Sequence, residues 1–272
     1  MMRLPRRHPL LFVGALLTFV MLLLALLSLV WTPRPPAQIN IMQRLKPPLE
    51  QGLLGTDQFG RDMLSMLMAG AWNSLSVSLL AVTAGALGGS VLGLVASVRG
   101  GVVQSITMRA CDVIFSLPPI LSAMVLGAFL GAGRFTATIA IATFMVPVFA
   151  RLTLAAAQQI WTQAYVLAAV GMGRSNLKIT LFHVLPNISN QIIVQITIQL
   201  GLAILTESGL SFLGLGLAPP AATWGRMLAD AQTYIGQAPW LAVLPGIFIL
   251  ITVTGFSLLG DGLRDLLDPR SR

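Results

Sequence analysis

Residues 165–187 read YVLAAVGMGRSNLKITLFHVLPN. This is a polar-tinged break inside a very apolar chain, and the rest of the sequence is organised around it. Its first half is Ala-rich and helix-forming. Gly171 and Gly173 then interrupt the pattern, and Ser175 or Asn176 supplies a cap for a new helix. Beyond the cap, Leu177, Leu181, Val184 and Leu185 recur at the spacing of one helical face, and Pro186 is expected to end the piece. The stretch predicts helix, turn and short amphipathic helix, with Arg174, Lys178 and His183 beside the apolar face. Between membrane spans, such a helix lies on the membrane surface or docks into a partner's groove.

The surrounding composition demands a membrane. Of 272 residues, 56% are hydrophobic and 10% charged, with mean hydropathy +0.83. A soluble domain carries about 25% charged residues. The net charge of +8 would suit nucleic acid only if the 17 basic residues were clustered, and they are spread along the chain. Positive-inside topology accounts for them instead. One cysteine, Cys111, excludes an internal disulfide and reads as a small buried apolar residue.

Six spans are expected, making an all-α polytopic membrane protein. Arg3, Arg6 and Arg7 precede an uncharged run, residues 10–31, too long for the apolar core of a signal peptide. This reads as an uncleaved first span with the N-terminus in the cytoplasm. Residues 32–70 are Pro-rich and polar, and read as an extracytoplasmic segment. Thr56 or Asp57 caps a turn there, and Met63, Leu64, Leu67 and Met68 predict an interfacial helix entering the next span. Residues 71–98 form the second span, where Gly85, Gly89 and Gly93 make a smooth strip for helix packing. Residues 113–133 form the third, kinked or delayed by Pro118-Pro119, with Gly127 and Gly131 repeating the small-residue strip. Residues 135–150 are short for a fourth span, which must run past Arg151. Residues 188–206 and 240–260 form the fifth and sixth. The domain reading is thus 1–31, 32–70 and a core of 71–272 containing a cytoplasmic loop at about 151–187.

Charge supports this path. Inner segments carry Arg3, Arg6, Arg7, Arg99, Arg109, Arg151, Arg174, Lys178, Arg264, Arg270 and Arg272; outer ones carry Arg34, Arg44, Lys46, Arg61, Arg134 and Arg226. Trp31, Trp72, Trp224 and Trp240 fall near outer span ends, as an aromatic belt would. Glu207 follows the fifth span in an apolar run. Either it is a functional or paired acid at membrane depth, with Ser211 one turn on, or it sits at the outer water boundary.

Catalytic chemistry is missing. Lys46 precedes Pro47 and Lys178 precedes Ile179, so neither is the lysine of a phosphate loop. His8 and His183 lack ligand spacing, and His183 reads as a helix-surface residue facing a partner or lipid headgroups. Asp57 and Asp62 lack the further oxygen ligands of a cation site. Gly214 and Gly216 do not complete a nucleotide fingerprint. Neither a proton relay nor a Ser/His/Asp set can be assembled.

Several motifs along the chain resemble one family. Ala168, Ala169, Gly173, Leu185 and Pro186 fit the spacing of the coupling loop of ABC-importer permeases, with Leu167 where that family usually has Glu. Gly55–Asp62 (GTDQFGRD) resembles the segment before the permease core in the peptide/nickel branch. Asp112, Ser116 and Pro118 match the same family. So do residues 207–216 (ESGLSFLGLG), Pro219-Pro220 and Thr223-Trp224-Gly225, as does the C-terminal LLGDGLRDLLDPRSR. The resemblance implies a type I importer permease working by alternating access, with no cofactor of its own. ATP and Mg would be bound by two partner ATPases. A second permease (a different chain, giving a heterodimer) and an extracytoplasmic substrate-binding protein complete the implied assembly, in the bacterial inner membrane with both termini cytoplasmic. Arg174–Leu185 would seat in a cleft on an ATPase, and Gly173 would make the turn. The implied substrate is a di- or oligopeptide; nickel or a metal chelate is the alternative. An ATP-independent transporter or channel would instead show inverted repeats or ionisable midplane groups.

Overall fold

Long apolar runs become helices here because a backbone in hydrocarbon must satisfy its hydrogen bonds internally. The computed structural model describes residues 9–267. The basic group Arg3, Arg6, Arg7 and His8, and the tail with Pro269, Arg270 and Arg272, lie outside the described residues. The helices are α1 (Pro9–Leu27), α2 (Met63–Arg99), α3 (Gly101–Ser116), α4 (Pro119–Leu130), α5 (Arg134–Trp161), α6 (Ala164–Gly171), α7 (Asn176–Phe212), α8 (Trp224–Ala231) and α9 (Trp240–Leu267). Among the described residues there is no strand, only an isolated bridge between Thr56 and Asp62.

The direction of each helix follows from what its residues touch. A Cβ on Gly85, Gly89 or Gly93 would strike Met145, Phe149 or Thr153 in ascending order, so α2 and α5 run parallel with their backbones pressed together. The expected glycine strip is therefore the main helix contact of the bundle. At the start of α5, the Arg134 guanidinium donates to Ser76 Oγ (2.8 Å) and Asn73 Oδ1 (2.7 Å) in the first half of α2. A straight helix from Ser76 to Arg99 rises about 35 Å. The chain leaves α2 at Arg99 and re-enters beside Asn73, so residues 101–133 must carry it back across the bundle. That return is broken: α3 and α4 meet at 88°, at Leu117-Pro118. Proline supplies no donor and displaces the residue before it from helical geometry. The third crossing thus exists, but it begins earlier than expected and is bent.

α7 and α9 are antiparallel, with Gly260 against Thr197 and Gly201 against Val253. α1 is antiparallel to α9, with Gly262 against Leu11 and Gly255 against Thr18. The chain makes six crossings, and the start of α1 and end of α9 share one end of the bundle. The opposite end is capped by residues 28–62 and 213–239.

Several boundaries differ from expectation. Met63, Leu64, Leu67 and Met68 open α2 itself rather than a separate interfacial helix. Asp62 is the cap, accepting from Ser65 N–H at 2.8 Å. Asp57 does hold a turn, accepting from the N–H groups of Phe59 (2.9 Å) and Arg61 (2.8 Å). α5 extends past Arg151 as its short apolar run required, and Arg151 pairs with Asp112 and covers the Phe115 ring. Gly131 does not continue a packing strip; it ends α4 at φ +78°. Cys111 is buried as expected. Trp224 does not join a lipid-facing belt. It is fully buried, its indole N–H donating to Leu67 O at 3.1 Å, because α8 folds inward over the start of α2.

Candidate functional site

The stretch 165–187 forms a projecting turn at the end of the bundle where α2 and α5 finish. α6 closes with two hydrogen bonds: Gly173 N–H to Val170 O (2.9 Å) and Arg174 N–H to Ala169 O (3.2 Å). These are the paired bonds of a Schellman ending, and they require a left-handed residue. Gly173 supplies it at φ +76°, with nothing within 4 Å of where its Cβ would be. Ser175 then takes the N-cap conformation before Asn176, without a side-chain cap bond.

Pro186 does not end the new helix. Asn176–Phe212 is continuous, because a π turn over Thr180–Val184 precedes the proline and Leu185 N–H reaches back to Thr180 O. The wider turn absorbs the ring that would collide with an ordinary one. It also rotates the faces. Leu177, Leu181, Val184 and Leu185 do not share one surface. Val184 is buried with Ile179 and Ile188 against Ala156, Ala157, Val166 and Ala169, a small core distinct from that of the main bundle. Leu177 (69%), Leu181 (48%) and Phe182 (71%) are exposed. Of the alanine pair, Ala169 is packed and Ala168 faces outward. His183 is half-buried and stacks on Tyr165 with ring centroids 6.4 Å apart, rather than standing free on the surface. The knob therefore presents an apolar face with Arg174 and Lys178 beside it, braced by its own core against α5.

At the other end sits Glu207. It is 0% exposed, so its carboxyl is enclosed by the protein rather than turned to water. Ser211 Oγ donates to its Oε1 at 2.6 Å. Ser74 and Arg134 neighbour the carboxyl, while the buried hydroxyls of Ser78 and Ser208 make no hydrogen bond among the described residues. The following segment closes over this cluster. Gly216 packs on Ser211 and Gly225 on the Ser208 carbonyl, both too closely for a side chain. These contacts fold the segment after α7 back onto that helix's own last turn.

A third feature was legible in the sequence but unread. Asn187, Asn190, Gln191 and Gln195 line a cavity of about 570 Å³ with Leu152 of α5 and Arg264 of α9. Their spacing puts four amides on one stripe of a membrane-crossing helix. Among the described residues no group of His, Cys, Asp and Glu could hold a metal.

A six-crossing helical bundle with a braced apolar knob at one end defines a polytopic membrane protein. Residues 89–272 match the family described as binding-protein-dependent transport system inner membrane component. The chain is 38% identical to the dipeptide transport system permease protein DppC of Alkalihalophilus pseudofirmus, over 98% of this chain and 88% of that protein. It is 40% identical to the glutathione transport system permease protein GsiD of Pectobacterium atrosepticum, over 80% and 72%. The fold is similar to a chain of the inward-facing MetNI methionine ABC transporter, with TM-score 0.63 and 19% identity, over 76% of this chain and 98% of that one. The chain belongs to the binding-protein-dependent transport family: it is a multi-pass inner-membrane permease of the type I ABC importers.

Proposed function

We propose that this permease moves di- and oligopeptides inward, driven by two ATPase subunits that grip the knob at residues 173–185. The observation that carries the reading is the exposed Leu177, Leu181 and Phe182 beside Arg174 and Lys178, on a turn stiffened by its own small core. An exposed apolar patch rimmed by basic residues, at a membrane protein's watery end, fits a groove on another protein. Leu167 is exposed here too, so this contact is apolar where the family usually offers a carboxylate.

In this reading the knob, both termini and the ends of α2 and α5 are cytoplasmic. Residues 28–62 and 213–239 face outward, where a binding protein delivers substrate. ATP and Mg reside in the ATPases, and a second, different permease completes the pathway. Closure of the ATPases drags the knob. Because Ile179 and Val184 are locked to Ala156 and Ala157, α5 and α7 move with it and the bundle switches access. Glu207 and Ser211 hold the outer end of α7 as part of a gate. The relatives' names favour peptides over nickel: one group carries dipeptides, the other glutathione, itself a small peptide. Co-expression with neighbouring ATPase, permease and binding-protein genes tests this. A complex reconstituted in liposomes should accumulate a labelled dipeptide only with ATP. A complex that takes up nickel and no dipeptide would overturn the substrate.

A further inference from the structure

We infer that the amide stripe of α7 and Arg264 of α9 form the wall of the substrate's exit vestibule and hold its peptide groups and terminal carboxylate during release. This rests on the importer reading above. Asn187 lies three residues beyond the π turn, so the cavity lies at the knob's end of the bundle. Asn187 spends its Nδ2 on His183 O (2.6 Å), whereas the side chains of Asn190, Gln191 and Gln195 make no hydrogen bond among the described residues. Unpaired amides on a membrane-crossing helix are costly against lipid, so this face meets water or polar groups. A cavity of about 570 Å³ is of ligand size.

The donor set selects the chemistry. An amide side chain both donates and accepts, matching the N–H and C=O of any peptide bond whatever its side chain. Arg264 offers a planar fork suited to a carboxylate. Among the described residues the lining holds no carboxylate, so it is a poor seat for a divalent cation, which wants hard anionic oxygens. A permease interface would be a different use of the face. Packing Arg264 there would bury its charge unless the partner brought an acid to meet it.

The test uses the whole complex in proteoliposomes, with Cys111→Ser as background. Gln195→Cys should react with a membrane-impermeant methanethiosulfonate added on the nucleotide side, and ATP plus vanadate should slow the reaction about ten-fold or more as the vestibule closes. No reaction in either state means the second permease covers the face, and overturns the inference. In a separate variant, Gln191→Leu with Gln195→Leu should lower uptake of labelled dialanine about ten-fold, the loss of one or two hydrogen bonds, while ATP hydrolysis persists. Arg264→Gln should lower it similarly, and Arg264→Lys, which keeps the charge but not the fork, should restore only part of it. Unchanged dialanine uptake in the double variant also overturns the inference. If the unmodified complex hydrolyses ATP yet moves no dialanine, the peptide reading itself has failed, and the inference with it.

Discussion

Replacing Gly173 separates a conformational requirement from a packing one. The position sits at φ +76° and a Cβ there would touch nothing within 4 Å, so any penalty comes from the backbone alone. An L residue with a Cβ in this region costs about 1–2 kcal/mol, asparagine less, and a β-branched residue more. The turn is held by two hydrogen bonds, Gly173 to Val170 and Arg174 to Ala169, which a shift in φ would break together. A loss of about 1–2 kcal/mol lowers the population of the gripped knob about 5- to 30-fold. ATP-dependent dipeptide uptake should therefore rank Gly and Asn together, then Ala, then Val, with Gly173→Val close to inactive. Insertion and detergent stability should be unchanged, because the turn lies outside the main core. Uptake by Gly173→Val equal to the unmodified protein, or a Gly173→Asn variant as inactive as Val, would refute the reasoning.

Other expectations follow from contacts elsewhere. Gly89→Val should lower thermal stability by about 1–3 kcal/mol, because its Cβ would meet the Val146 carbonyl and Phe149 Cβ. Gly88→Ala, whose nearest neighbour is Val146 Cγ2 at 3.6 Å, should be silent in the same melt. Glu207→Ala should cost about 1–3 kcal/mol by stranding the Ser211 hydroxyl, and Glu207→Gln should recover most of it because the amide oxygen still accepts. Trp224→Phe should lose about 1 kcal/mol with the bond to Leu67 O, read as a lower melting temperature. Leu177→Glu with Leu181→Glu should abolish co-purification of the ATPase subunits while the permease pair still forms.

The fold was legible wherever composition alone decided it. Uncharged runs marked the crossings, and the Gly85–Gly93 strip named the surface on which α5 lies. The turn at Gly173 was legible too, because few residues tolerate its conformation. What escaped was geometry set by hydrogen-bond registry. A π turn has no signature in hydrophobic spacing, so Pro186 looked like a terminus and Leu177 and Val184 looked like neighbours. Trp224 sits near a span end in sequence, but an indole N–H that finds a backbone carbonyl leaves the lipid boundary. The state of Glu207 depended on Gly216 and Gly225 closing over it, which is tertiary information. The amide stripe of α7 was in plain view. Its four side chains are diluted by Ile and Val, so the segment still reads as apolar by average.

The central claim is that residues 173–185 form a handle on the nucleotide side. In a Cys111→Ser background, Arg174→Cys should resist a membrane-impermeant thiol reagent added to intact cells and react when the reagent is added to inside-out vesicles. Bound ATPase subunits should then protect it. Reaction from outside intact cells would contradict the account.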